Sequence, residues 1–235
     1  MWPFRKRIPL KDSGIFEGFT DWHSHILPGV DDGVQTMEEA LEILRLYEEL
    51  GVKSVWLTPH IMEDIPNETL ALQRKFWELL QQYRGAVELK LAAEYMLDNL
   101  FEERLEKEDL LLLEEGKRFL LVETSYFNPP MDLLSVLQRI QKKGYYPLLA
   151  HPERYEYMQK EDYNTLKEEH ISFQLNLPSL AGMYGKHVQK KAEDLLKAGM
   201  YDRMGGDTHS AASYQRFLQG EICKNIVGFI LRQKE

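Results

Sequence analysis

The sequence predicts an α/β protein whose parallel strands close into a barrel, with its functional groups at the strands' carboxyl ends. Three observations predict it. Seven short apolar or aromatic segments recur along the chain with helical patterns between them. Several of these segments are apolar on both faces, as buried parallel strands are. The histidines, finally, collect where the segments end. An open doubly wound sheet satisfies the first two observations, and the third favours the barrel, whose strand ends share one face.

The strands are read over 18–25 (GFTDWHSH), 54–60 (SVWLTPH), 89–95 (LKLAAEY), 119–125 (FLLVETS), 145–152 (YYPLLAHP), 171–178 (ISFQLNLP) and 202–210 (DRMGGDTHS). A helix over 36–51 opens with Thr36 and Glu39 at capping-box spacing, carries Ala40, Ile43, Leu44 and Tyr47 on one face, and closes at Gly51. Residues 67–85 start at Asn67 and end at Gly85 in the same manner, and 131–144 and 187–199 each finish with lysines and a glycine. A further helix is expected near 98–108, followed by LLLLEEGKRFLL, read as a hairpin feeding the fourth strand. Right-handed crossovers follow from strand–helix–strand repetition. Residues 1–17 are read as a flexible N-terminal extension and 18–235 as a single domain.

Composition narrows the function. The 235 residues, 43% hydrophobic, suffice for one large core. A net charge of −9 argues against a nucleic-acid partner. The single cysteine, Cys223, has no partner for an internal disulfide and suits a reducing, cytoplasmic setting. No apolar run approaches the roughly 20 residues of a membrane span, and the MWPFRKR start lacks the apolar stretch of a secretory signal. A cysteine-phosphatase loop, a G-x-S-x-G elbow, a Walker loop and a dinucleotide fingerprint are all missing.

Five of the seven histidines stand at strand ends: His23 and His25 on the first, His60 on the second, His151 on the fifth and His209 on the seventh. Glu94, Glu123, Asn176 and Asp207 occupy equivalent places. Any one of these alone reads as a surface or capping group; the joint placement does not. His170 and His187, at helix boundaries, read as surface residues. Imidazoles and carboxylates converging on one face call for a divalent cation, whose charge offsets their desolvation. Period-two geometry makes His23 and His25 adjacent ligands, with Asp21 one step deeper on the same face. The donors exceed the needs of one ion, so a cluster of two or three is inferred, of the kind that activates water against a phosphoryl group. Arg154 in HPERY, just past a strand end, suits a phosphate oxygen. Asp31 and Asp32 lie between glycines on the first loop, where one of them is placed to protonate a leaving oxygen; the bland alternative is a turn and helix cap.

DWHSHILPGVDDG, TPH, AAEY, LVET, LAHPERY and GGDTHS, in that order and spacing, resemble the polymerase-and-histidinol-phosphatase (PHP) superfamily. Within it they resemble the CpsB/CapC-type manganese-dependent protein-tyrosine phosphatases of bacterial capsule and exopolysaccharide systems. The resemblance spans about residues 18–215. It implies a distorted TIM-like (β/α)7 barrel and a three-ion centre of Mn²⁺ held by His23, His25, His60, Glu94, Glu123, His151, Asp207 and His209, a ligand set that also accommodates Fe or Zn. It further implies that Arg154 binds phosphate, that Asp32 assists as an acid, and that the substrate is phosphotyrosine in the tail of a bacterial tyrosine autokinase. Two departures are visible: GGDTHS stands where SDAH is usual, and the first arginine past His209 is Arg216, seven residues on. The rivals weighed against this reading are a small-molecule phosphatase such as histidinol-phosphatase, a metal-dependent nuclease, and a non-catalytic scaffold, which would lack ligands.

Overall fold

A computed structural model describes residues 6–113, 116 and 118–232. In chain order the elements are β1 (Arg7–Pro9), β2 (Thr20–Ser24), α1 (Met37–Glu49), β3 (Ser54–Leu57), β4 (His60–Ile61), α2 (Thr69–Gln82), β5 (Glu88–Leu91), β6 (Glu94–Met96), α3 (Asn99–Lys107), β7 (Phe119–Glu123), α4 (Leu133–Lys142), β8 (Tyr146–Ala150), α5 (Lys160–Glu168), β9 (Ser172–Asn176), α6 (Leu177–Leu180), α7 (Gly185–Lys197), β10 (Arg203–Gly205), α8 (Ala211–Gln219), β11 (Glu221–Cys223) and α9 (Lys224–Arg232). No helix among them is long and apolar enough to cross a membrane.

Each of the seven expected strand regions carries at least one strand, but two are broken. The segment read over 54–60 divides into β3 and β4 at Thr58–Pro59, where proline has no N–H to give the ladder. The segment over 89–95 divides into β5 and β6 at Ala92–Ala93. Ala92 N–H to Leu57 C=O (2.9 Å) and Glu94 N–H to Pro59 C=O (3.1 Å) carry the pairing across both breaks. The result is a curled parallel sheet, ordered β10-β9-β8-β7-β6-β4 on one side and β2-β3-β5 on the other. Beyond β10 the chain returns to β2: His25 N–H donates to Thr208 C=O (3.0 Å) and Asp207 N–H to His23 C=O (2.8 Å). Glycine makes that approach feasible, since a methyl on Gly205 would lie 2.5 Å from the His23 Cβ.

Both faces of the sheet are buried. Leu120, Val122 and Leu149 pack outward with the helices, while Leu121, Leu148 and Ala150 turn inward to join Trp56, Ala92 and Leu113. That explains the apolar strands that lack alternation.

The helices start differently from expectation at two points, and both bear on the site. Thr36 caps α1 by accepting from the Glu39 N–H (3.2 Å), but the Glu39 carboxylate does not return to Thr36; it accepts from the Ala211 N–H (2.9 Å), capping α8 instead. Asn67 does not cap α2, which begins at Thr69; its Nδ2 donates to Val30 C=O (2.8 Å) and His60 C=O (3.0 Å), tying two loops together. The expected hairpin is seen where Leu113 and Phe119 exchange backbone bonds of 2.9 and 3.2 Å, although residues 114, 115 and 117 lie outside the described residues.

Residues 6–17 differ from the flexible extension expected of 1–17; residues 1–5 lie outside the described residues. β1 pairs antiparallel with β11, and Leu10, Ile15 and Phe16 are buried in the main core. Burial of three large apolar side chains, each contributing about 1.5–3 kcal/mol, fixes this segment. β1, α5, α6, α8, β11 and α9 have no counterpart in the sequence reading.

Candidate metal centre

The carboxyl ends of the strands converge on one buried polar cluster. His23 and His25 extend from β2, His60 stands on β4, Glu94 opens β6, Glu123 ends β7, and His151 follows β8. Asp207 and His209 follow β10. His151 (φ 34°) and Asp207 (φ 49°) both take left-handed backbone, which bends the chain over the strand end at a cost of order 1–3 kcal/mol each. All are buried except His209, which is about one-third exposed.

Glu94 is the hub. Its Oε2 lies 3.0 Å from His23 Nε2, 3.3 Å from His25 Nε2 and 3.2 Å from His60 Nδ1; its Oε1 lies 3.1 Å from His151 Nε2. Glu123 is 3.2 Å from His60 Nδ1 and 3.6 Å from His151 Nε2. Asp207 Oδ1 is 3.6 and 3.4 Å from the Nε2 atoms of His23 and His25. Asp32, on the exposed rim, is 3.5 Å from His60 Nε2 and 3.7 Å from His209 Nε2. The potential ligand atoms form four overlapping sets, each within 4.8 Å: His25–Asp32–His60–His209, His23–His25–Asp207, His23–Glu94–His151 and His60–Glu94–Glu123.

Three imidazoles are oriented from behind. His23 Nδ1 lies 2.9 Å from Gln174 Oε1, His25 Nδ1 2.8 Å from Asp31 Oδ2, and His209 Nδ1 2.9 Å from the Asp207 carbonyl. Each partner is an acceptor, so Nδ1 carries a proton, and in the neutral ring Nε2 presents its lone pair to the cluster. His23 Nε2 and His25 Nε2 then stand 3.1 Å apart with no obligatory proton between them. The buried Nδ1 of His151 has no hydrogen-bond partner among the described residues, and that of His60 lies 3.2 Å from Glu94 and Glu123 without hydrogen-bond alignment to either. Facing lone pairs, acidic oxygens and orphaned imidazole nitrogens are what a divalent cation satisfies, and the residues present fit one.

The charges couple strongly. Burial would push His23 down, but Glu94 and Asp207 outweigh it and raise it to about 9. Burial likewise opposes ionisation of Glu94 and Asp207, yet the surrounding imidazoles hold both well below the usual carboxylate range. Asp21, buried beneath, is raised to about 6 by desolvation despite hydrogen bonds from Tyr47 Oη (2.7 Å) and Gly206 N–H (2.8 Å).

Arg154 reaches the cluster as its position in HPERY predicts. Nη1 donates to Asp207 Oδ2 (2.8 Å), and the guanidinium lies 4.3 Å from the Tyr126 ring centre and 4.2 Å from that of Tyr184. Asn176 also reaches Asp207 Oδ2, through Nδ2 (2.7 Å). Of the two loop aspartates, Asp31 does not face outward as an acid: it is buried against His25, and only Asp32 stands on the rim. His170 and His187 are exposed and away from the cluster. Sequence reasoning missed Gln174, Tyr126 and Tyr184. Gln174 left a signal, a polar residue two before Asn176 in an apolar strand; the tyrosines left none.

The comparisons with known proteins fit this geometry. The tyrosine-protein phosphatase YwqE of Bacillus subtilis is 27% identical over 197 residues, 81% of this chain and 77% of that protein. The tyrosine-protein phosphatase CpsB of Streptococcus pneumoniae is 28% identical over 218 residues, 85% and 86% of the two chains. A solved chain from the crystal structures of YwqE and CpsB, described as metal-dependent tyrosine phosphatases, superposes with a TM-score of 0.78 at 24% identity, covering 92% of this chain and 87% of that one, and so shares the fold. Residues 19–227 match the family described as capsular polysaccharide synthesis, CpsB/CapC, a span that holds the whole curled sheet and its polar rim: this chain belongs to the CpsB/CapC family.

Proposed function

We propose that this chain is a metal-dependent protein-tyrosine phosphatase. The observation that carries the reading is the set of four overlapping His/carboxylate groups, each within 4.8 Å, beside Arg154, whose Nε and Nη2 bond nothing among the described residues. We read the curled sheet as a distorted (β/α)7 barrel, with β3/β4 and β5/β6 each counting as one strand and the Ser24–Thr208 bridge joining its two edges. His23, His25, His60, Glu94, Glu123, His151, Asp207 and His209 are the proposed ligands of a cluster of three ions, with Mn²⁺ as the metal that the family resemblance implies. When bound, such ions supply an activated water and positive charge beside the phosphoryl oxygens.

The chain's own residues do the rest. Arg154 takes a phosphoryl oxygen through Nε and Nη2, because Nη1 is committed to Asp207 and the two tyrosine rings hold the fork in plane. Asp32, on the rim, gives a proton to the tyrosyl oxygen as the P–O bond breaks, leaving tyrosine and inorganic phosphate. Buried Asp21 accepts from the His23 N–H (3.1 Å) and the Gly206 N–H and so ties β2 to the GGDTHS turn. The partner we propose is a phosphotyrosine-bearing protein, namely the tail of a bacterial tyrosine autokinase acting in the cytoplasm in polysaccharide export; the family's capsular role supports it.

The test is hydrolysis by the metal-reconstituted protein of a phosphotyrosine peptide, histidinol phosphate and single-stranded DNA. Turnover of the peptide that requires added Mn²⁺ and collapses in His151→Ala supports the proposal. Preference for histidinol phosphate would move the enzyme to small-molecule metabolism, and cleavage of DNA would make it a nuclease.

A further inference from the structure

We infer that Asp31 is the positioning residue that holds two of the proposed ligands, His25 and His60, in metal-binding geometry. The inference rests on the metal-centre reading above and adds a residue to which the family resemblance assigns no role. Asp31 lies on the βα loop after β2 with its side chain fully buried. Its Oδ2 accepts from His25 Nδ1 (2.8 Å) and from the His60 backbone N–H (3.0 Å), while Oδ1 accepts from the Gly33 N–H (2.9 Å). One carboxylate thus joins an imidazole on β2, the backbone of β4 and its own turn.

Three donors converge on it and none of them can reverse roles cheaply. The two backbone N–H groups are fixed donors. The imidazole must also donate, which leaves the lone pair of His25 on Nε2, the nitrogen that stands 3.3 Å from Glu94 and 3.4 Å from Asp207. The turn itself is constrained: a methyl on Gly33 would lie 2.4 Å from the His25 Cβ, so the loop closes directly onto the imidazole it orients. Gln174 acts in the same sense across the site, its Oε1 facing His23 Nδ1 (2.9 Å) and accepting from the His151 backbone N–H (3.3 Å), and the Asp207 carbonyl orients His209; Asp31 does this for the His25 and His60 pair.

Asp31→Asn separates this role from simple packing. The amide keeps the shape but offers one acceptor oxygen, so its NH₂ group must face either the Gly33 N–H or the His25/His60 pair. In the second arrangement His25 gives up its Nδ1 proton, protonates Nε2, and loses the ligating lone pair. The experiment is Mn²⁺ affinity of the full chain, measured by competition with a chromophoric chelator, together with histidine ¹⁵N spectra of the protein loaded with diamagnetic Zn²⁺ and the thermal midpoint of the chelated protein. Expected is an Mn²⁺ affinity about 10–100-fold weaker in Asp31→Asn and, in the wild-type spectrum, a His25 ring protonated on Nδ1. Asp31→Ala, which removes both acceptor oxygens, is measured beside it, and wild-type affinity in both variants overturns the inference while leaving the metal reading intact. A wild-type chain that binds no Mn²⁺ overturns both. Should the variant fail to fold, the wild-type spectrum decides: a His25 ring protonated on Nε2 contradicts the inference.

Discussion

The two ends of the sheet are stabilised by opposite means. Before β2, at the amino ends of the strands, Leu10, Ile15, Phe16 and Phe19 pack into the main core, Phe16 edge-on to Phe217 at 6.0 Å between ring centres. Dispersion and water exclusion hold that end, and neither depends on proton or cation. At the carboxyl ends Glu94, Glu123, Asp207 and four imidazoles are just as deeply buried, and only opposite charge justifies their presence. The first end makes the fold durable. The second makes it conditional on pH and metal, as a reactive site has to be.

The largest effect falls at the polar end. Glu94→Gln removes the charge that faces His23, His25, His60 and His151 together, and phosphotyrosine hydrolysis should fall by at least about 10³-fold, equivalent to about 4 kcal/mol, with bound metal lost in parallel. Metal analysis beside kcat checks it. Phe16→Ala attacks the other end: unfolding free energy should drop by about 3–5 kcal/mol in urea titration, with kcat unchanged at a temperature where the variant is folded. A fall in kcat there would mean that the two ends are not independent.

Arg154→Ala should lower kcat/KM for a phosphopeptide about 10²-fold while metal content stays near wild type. Loss of metal in that variant would show that the Arg154–Asp207 pair serves the cluster rather than the phosphate.

The smallest effect is the pH dependence of the chelated protein. The stability that His23 gains from its carboxylates is fully present below pH 6.5 and is lost as pH rises through about 9. Asp31 acts in the opposite sense: its hydrogen bonds from His25, His60 and Gly33 outweigh burial and lower it to about 2, a contribution present above pH 3.8 and lost as pH falls through about 2. Asp21, raised to about 6 by burial, costs stability that builds up as pH rises from 3.8 to about 6 and remains in full above it. The thermal midpoint should therefore decline between pH 6.5 and 9. Phe16→Ala should show the same slope at a lower level, and Glu94→Gln a flatter one.

The polar end was far more legible in the sequence than the apolar one, for a physical reason. Histidine and glutamate at the end of an apolar strand are expensive unless they act together, so HSH, TPH, AAEY and LAHPERY stand out against the pattern around them. Leu10, Ile15 and Phe16 are ordinary apolar residues without a helical or alternating period, so nothing local marks them as core; their burial depends on β11, some 210 residues away. Orientation was equally hidden. The residues DDG were visible, but which aspartate turns inward is decided by the His25 ring and the His60 N–H, both supplied by tertiary structure. Glu39 shows the same limit, its capping-box spacing overridden by the Ala211 N–H.

One metal cluster should carry phosphotyrosine hydrolysis, and titrating the chelated protein with Mn²⁺ while following peptide turnover and bound metal in the same samples decides whether it does. Turnover that rises with occupancy and saturates when the cluster fills is the predicted result. A filled cluster with no release of phosphate from the peptide would contradict the account.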